Sequence, residues 1–184
     1  ISLYKKSVYL LNKIQKIKKN EIKNFEGKKY KIPIYHNNKL LAEAKLFSDW
    51  YGKKYVNKKK ILSFKNQIYK QIKFLLSQLK LKNNIFVHRD FHVSNLMKYK
   101  NQIGVIDTQD AVVGNGAYDL ASLIDDVRFK TNNKFKDDIY RYFLKLNKKN
   151  FNKEVFLNDF EILSVLRNMK IIGIFTRLAI RDNK

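Results

Sequence analysis

Residues 86–97 read FVHRDFHVSNLM and hold two of the three histidines of the chain, His88 and His92, together with Asp90 and Asn95. Ten residues later comes VID, ending on Asp107. If a strand over 96–99 leaves the polar loop at Asn95 and an antiparallel strand over 103–106 returns, Asp107 arrives beside Asn95. Three oxygen-bearing side chains, Asp90, Asn95 and Asp107, then meet at one end of a small sheet. Hard cations prefer such donors, and Mg²⁺ commonly takes one or two protein ligands plus phosphate oxygens. Asn95 and Asp107 would supply those ligands. Asp90 would remain to accept a proton from, or orient, a hydroxyl attacking a terminal phosphate.

Two other readings use the same residues. Asp and Asn are frequent turn and cap formers, but that does not explain their joint spacing. His88, Asp90 and His92 recur at period two, so on one strand face they would be zinc ligands for a hydrolase. Against this, the only further imidazole is His36, the chain has no cysteine, and Asn95 and Asp107 would have no role.

The surrounding pattern predicts a mainly helical α+β domain. Apolar residues at Tyr4, Val8, Leu11 and Ile14 predict a first helix. A loop over 19–38 follows, with Gly27 and Pro33, the only proline. A second helix capped near Asn38 would carry Leu41, Ala44, Phe47 and Tyr51 on one face, and a third from about Lys59 would carry Ile68, Ile72, Leu75 and Leu79. Residues 85–88 read as a short strand, and 96–99 with 103–106 as a hairpin turning around 100–102. After a loop TQDAVVGNG, helical periodicity returns through Leu120, Leu123, Ile124 and Val127, then Ile139, Phe143 and Leu146, then from Phe156 onward. The last helix is apolar nearly all round from Ile162 to Ile180, which predicts the central packing element. Trp50 and Tyr51 read as core. Asp110, Asp125 and Asp126 read equally as solvated or capping residues and as an acidic wall for a sugar.

With 184 residues, 45% of them hydrophobic, the chain has the size of one domain and can bury a core. The longest apolar run, IIGIFTRLAI at 171–180, is interrupted by Thr176 and Arg177, so no membrane span or membrane partner is expected. Absence of cysteine excludes disulfides and thiolate metal sites and fits a reducing, cytoplasmic location. No secretory cleavage pattern marks the first residues. The formal net charge is +23, which would attract phosphate backbones. Lys far outnumbers Arg, however, and Asn, Ile, Tyr and Phe are abundant with it, a compositional bias. The aromatic residues fall at core-facing helical positions rather than as stacking platforms between basic residues. A nucleic-acid partner is therefore disfavoured. A start at Ile1 and an end just after an apolar helix read as a piece of a longer chain.

HRDFHVSNLM followed by VIDTQDAVVGNGAYDLASLIDD resembles the aminoglycoside-phosphotransferase-like kinases, distant relatives of protein kinases. KLFSDWYGKKY at 45–55 and RNMKIIGIFTRLAIRD at 167–182 extend the resemblance toward the bacterial amino-sugar kinases of cell-wall recycling, which phosphorylate the anomeric hydroxyl of N-acetylmuramate and N-acetylglucosamine. The resemblance implies ATP and Mg²⁺ as cofactors, Asp90 as catalytic base, and Asn95 and Asp107 as nucleotide-metal ligands. It implies that Asp119 accepts backbone hydrogen bonds and, with His88 and Arg89, supports the loop. His92 stands where protein kinases place Lys, and no proline follows Pro33 to form their A-P-E segment. A small-molecule acceptor is implied, with His92 and Asp110 as possible contacts. Family acceptors range over aminoglycosides, choline, homoserine and several sugars, and spacing does not choose among them. No Gly-rich strand-turn, strand Lys or helix Glu precedes the loop. Residues 1–184 therefore read as the catalytic carboxy-terminal lobe of a two-lobe kinase, with the nucleotide lobe missing in cis and little turnover expected from this piece alone.

Overall fold

In the computed structural model, residues 2–18, 21–148 and 151–182 are described. They fall into two compact units, one of Ile1–Tyr35 with Lys80–Phe160 and one of His36–Leu79 with Glu161–Lys184. Helices dominate, with three two-stranded antiparallel sheets.

In the first unit, α1 (Ser2–Ile14) buries Ser7, Val8, Leu11 and Asn12, a stripe at three- and four-residue spacing. It packs on α6 (Asn133–Leu146), which buries Ile139 and Phe143. Asn132 caps α6, its side chain accepting from the Phe135 N–H at 2.8 Å. Phe143 and Phe156 stack with centroids 5.2 Å apart. All seven residues of α5 (Tyr118–Ile124) are buried, so this short helix is the centre of the unit.

Residues 19 and 20, at the start of the predicted 19–38 loop, lie outside the described residues. From Glu21 on, that segment is not all loop. β1 (Glu21–Lys23) and β2 (Lys29–Lys31) pair with Ile22 opposite Tyr30. The Asn24 side chain accepts from the N–H groups of Glu26 and Lys28 at 3.1 and 2.8 Å, and Gly27 takes φ +77° in the turn. Every residue of both strands is exposed, so the pairing has no buried face to leave an alternating pattern.

β3 (Ile85–Val87) pairs with β6 (Val112–Gly114), Phe86 opposite Val113. β6 lies within the predicted loop TQDAVVGNG. Residues 33–35 extend this pair, since Val113 N donates to Pro33 O and Tyr35 N to Val113 O, both at 2.8 Å. β4 (Leu96–Tyr99) and β5 (Gln102–Val105) form the hairpin, Leu96 opposite Val105.

The second unit contains α2 (Asn37–Ala44), a π-helical turn (Phe47–Gly52), α3 (Lys53–Tyr55) and α4 (Ile61–Ser77). His36, not Asn38, precedes α2, and it provides no side-chain cap. The π turn breaks the predicted single face. Phe47 and Tyr51 stack at 5.0 Å, yet Tyr51 is 36% exposed and Trp50 is only half-buried, so neither Trp50 nor Tyr51 is core.

α7 (Lys153–Arg181) contributes its first residues to the first unit and the rest to the second. It is not a wholly interior helix. Ile162, Leu163, Leu166 and Ile171 are buried, but Val165, Ile172, Phe175 and Ile180 are exposed. Within the second unit Lys170 pairs with Glu43 at 3.0 Å. Gly173 lies against the backbone at Leu46, where an added Cβ would stand 2.3 Å from the Leu46 carbonyl carbon. Backbone cannot yield as a side-chain tip can, so Gly173→Ala is expected to destabilise this unit by about 1–3 kcal/mol. A thermal melt of the variant checks this, and an unchanged transition would refute the close approach.

Candidate active site

The 88–95 loop is shaped from behind by one carboxylate. Asp119, fully buried in the first turn of α5, accepts from His88 N at 2.7 Å and from Arg89 N at 3.0 Å. Arg89 adopts φ +73°, which costs a non-glycine residue on the order of 1 kcal/mol or more. Charge-assisted bonds to buried donors are among the stronger hydrogen bonds and offset that cost. The Arg89 guanidinium lies 5.1 Å from the Tyr35 ring centroid, and its Nη1 donates to Asp110 O at 3.4 Å.

His88 ties the loop to the hairpin. Its ring is fully buried, with Nε2 3.1 Å from the Ile106 carbonyl. A carbonyl only accepts, so Nε2 carries the proton and Nδ1, which has no partner among the described residues, is the bare nitrogen of a neutral ring. Burial holds its pKa below the ordinary 6.5, outweighing the opposite pulls of the Ile106 bond and of Asp90 and Asp107.

The rest of the loop closes on the Asp90 carbonyl, which accepts from His92 N and from Asn95 Nδ2, both at 3.0 Å. A 3₁₀ turn (Val93–Asn95) follows, with Asn95 N donating to His92 O at 2.9 Å. Ile106 N donates to Asn95 O at 3.1 Å, continuing the hairpin ladder one step beyond Leu96 and Val105. Asp107 comes next in the chain, at the same open end as Asn95. It has φ +66° and takes a hydrogen bond from the Gln109 amide.

The structure thus places Asp90, Asn95 and Asp107 on one loop and hairpin end, Asp90 and Asn95 half-buried and Asp107 exposed. The Asn95 amide is oriented by its nitrogen, and its Oδ1 accepts no hydrogen bond from the described residues. An oxygen from an amide beside an exposed carboxylate is a donor set that fits a hard divalent ion. His92 is 7% exposed, which limits what its ring can offer a ligand. Asp110 has 64% of its side chain exposed, 4.0 Å from Arg89 Nη1. The zinc geometry is absent. β3 ends at Val87, so His88, Asp90 and His92 share no strand face, and no group of three or more His, Cys, Asp or Glu is gathered for a metal among the described residues.

The sequence reading left one residue here undecided and missed another. Of the readings open for Asp126, the structure bears out capping, and the residue is neither solvated nor part of an acidic wall. It is 4% exposed and accepts from Val93 N at 3.3 Å. Asp159, fully buried, accepts from Lys80 N at 2.9 Å, Leu81 N at 2.8 Å and Asn115 Nδ2 at 2.6 Å. A single acid on the otherwise apolar face of NDFEILSVL was the available signal.

Residues 34–153 match the profile of the phosphotransferase enzyme family, and the chain belongs to that family. Among relatives, the N-acetylmuramate/N-acetylglucosamine kinase of Neisseria meningitidis serogroup B is 36% identical over 160 residues, covering 83% of this chain and 47% of that protein. The kinase of the same name from Pseudomonas aeruginosa is 31% identical over 162 residues, with the same coverage of 83% and 47%. The chain therefore spans about half the length of these relatives. Among solved structures, amicoumacin kinase hAmiN in complex with AMP-PNP, Ca²⁺ and Ami superposes with a TM-score of 0.60 at 17% identity, over 96% of this chain and 52% of that one. At that identity the likeness is one of fold.

The neutral His88 sets a pH dependence. Its lowered pKa means the unfolded chain takes up a proton more readily, so its contribution is full above about pH 6.5 and is lost as pH falls through the folded value. The melting temperature should therefore fall below about pH 6.5. His88→Phe, with nothing to titrate, should lack that slope, and equal slopes in both proteins would assign the acid sensitivity elsewhere.

Proposed function

We propose that this chain is the catalytic carboxy-terminal lobe of an ATP-dependent kinase that phosphorylates a hydroxyl of an amino sugar, of the N-acetylmuramate or N-acetylglucosamine type. The observation that carries the reading is the loop-and-hairpin end on which Asp90, Asn95 and Asp107 stand together, with Asn95 Nδ2 and His92 N both fixed on the Asp90 carbonyl. Family membership supports phosphotransfer, and the names of the two bacterial relatives support the amino sugar.

Asp90 is the group that would receive or orient the acceptor's proton, as general bases do at about 10²- to 10⁴-fold benefit. Asn95 and Asp107 would hold Mg²⁺. The bound ion would neutralise charge on the transferring phosphate. Asp119 and His88 hold the loop and Ile106, and Arg89 stacks on Tyr35. The nucleotide lobe would be contributed in cis by the complete protein.

A substrate panel checks the acceptor. N-acetylmuramate and N-acetylglucosamine should be phosphorylated by the complete protein with ATP and Mg²⁺. Turnover of choline or an aminoglycoside with both amino sugars untouched would remove the amino-sugar assignment and leave the kinase class.

Asp90 and Asp119 should separate cleanly. Asp90→Asn is nearly isosteric, so the complete protein should keep its melting temperature while turnover falls by about 10²- to 10⁴-fold. Asp119→Ala leaves a buried and a part-buried N–H donor without this acceptor, costing about 1–3 kcal/mol or more, so melting temperature and turnover should fall together. The reverse pattern would show the roles exchanged.

Asp107→Ala should abolish nearly all turnover along with its Mg²⁺ dependence. Activity retained at the unmutated level would exclude Asp107 as a ligand.

A further inference from the structure

We infer that Asp126 is a positioning residue of the phosphotransfer site, acting through the Val93 N–H to fix the 3₁₀ turn that presents Asn95. The inference rests on the function proposed above. The residue is 4% exposed, and its two oxygens are divided. Oδ1 takes the Arg128 N–H and guanidinium, each at 3.1 Å, while Oδ2 accepts from Val93 N at 3.3 Å. Arg128 neutralises the charge, and the remaining oxygen serves the loop.

Asp119 lies in the first turn of α5, and Asp126 lies two residues beyond its last residue, Ile124. Between them every residue of α5 is buried, so neither acid moves without repacking the unit. At the loop, Asp119 holds His88 and Arg89, and Asp126 holds Val93. The stretch from His88 to Val93 is thereby anchored at both ends, at one by α5 and at the other by the segment that leaves it, with Asp90 between the anchors. Val93 N begins a turn and has no other acceptor among the described residues. Asn95 follows two residues later.

The surroundings keep Asp126 ionised. Burial would raise its pKa, but the Arg128 bonds and the Val93 N–H bring it below the ordinary 3.8. Its charge is felt by Tyr4, whose buried hydroxyl has no partner among the described residues and is pushed up to about 12 by burial first and Asp126 second.

The donor can be deleted without touching the acid. His92 has φ −130° and ψ 168°, the extended conformation required before proline, and Val93 opens a helical turn, where proline is tolerated. In the complete protein, with MgATP and N-acetylmuramate, Val93→Pro and Asp126→Ala should each lower kcat by on the order of ten- to a hundredfold with both KM values unchanged. The double variant should be no slower than the slower single one, because both remove the same interaction. Hydrogen exchange at the Val93 amide should quicken in Asp126→Ala while the amides held by Asp119 keep their protection. The proposal is overturned by unmutated kcat in Val93→Pro, by multiplied losses in the double variant, or by an unchanged Val93 exchange rate. Should Asp126→Ala not fold, Val93→Pro, which leaves the Asp126–Arg128 pair intact, decides by kcat. Lack of phosphotransfer in the unmutated protein would overturn the function reading instead, and the exchange measurement would still decide the clamp.

Discussion

Two consecutive backbone N–H groups, of His88 and Arg89, converge on the one carboxylate of Asp119, and much of the first unit is arranged to make that possible. Both donors can reach one side chain only if the chain turns sharply at Arg89, which takes a left-handed conformation. Burying an acid is expensive unless its oxygens are satisfied by hydrogen bonds. Removing the acid would leave the donors orphaned, and removing the turn would leave the acid half satisfied. α5 is buried along its whole length because it must carry this group rigidly to the loop.

From that anchor outward, main-chain groups do most of the positioning. The Asp90 carbonyl takes two donors, Asn95 O holds Ile106 N, and the Ile106 carbonyl holds His88. The loop and the hairpin are thus sewn together twice, once along the ladder and once through a neutral imidazole. The side chains of Asn95 and Asp107 are left at the open end. Because backbone groups do the scaffolding, these side chains need not carry the fold.

The β4–β5 hairpin was legible because both its strands and its turn lie within ten residues of sequence, so local alternation determined the register. The start of α5 was legible for the same reason. β6 was not, since its partner β3 lies 27 residues away across the hairpin and VVG alone shows no period. Asp126 stayed undecided between capping and an acidic wall because the loop N–H it binds is a main-chain group, which leaves no residue type to read. Tyr51 and the second half of α7 were misjudged toward the interior because apolar residues at helical spacing say which face is greasy, not whether anything covers it. At the site, residue types and spacing were enough to bring Asn95 and Asp107 to one hairpin end. The neutral ring of His88 and the split oxygens of Asp126 needed coordinates.

The β1–β2 hairpin, with Phe25 at its turn 97% exposed, has another consequence. Its ladder bonds are among exposed residues only, so opening it uncovers almost no apolar surface that was not already wet. Segments of that kind open at free energies far below the global value and form their own cooperative unit. The strands carry Lys23, Lys29 and Lys31, charges that discourage edge-to-edge association of such a ribbon. Residues 21–31 are thus a stretch where the chain tolerates lengthening, trimming or cleavage at little thermodynamic expense, with the buried frame around α5 indifferent to the change.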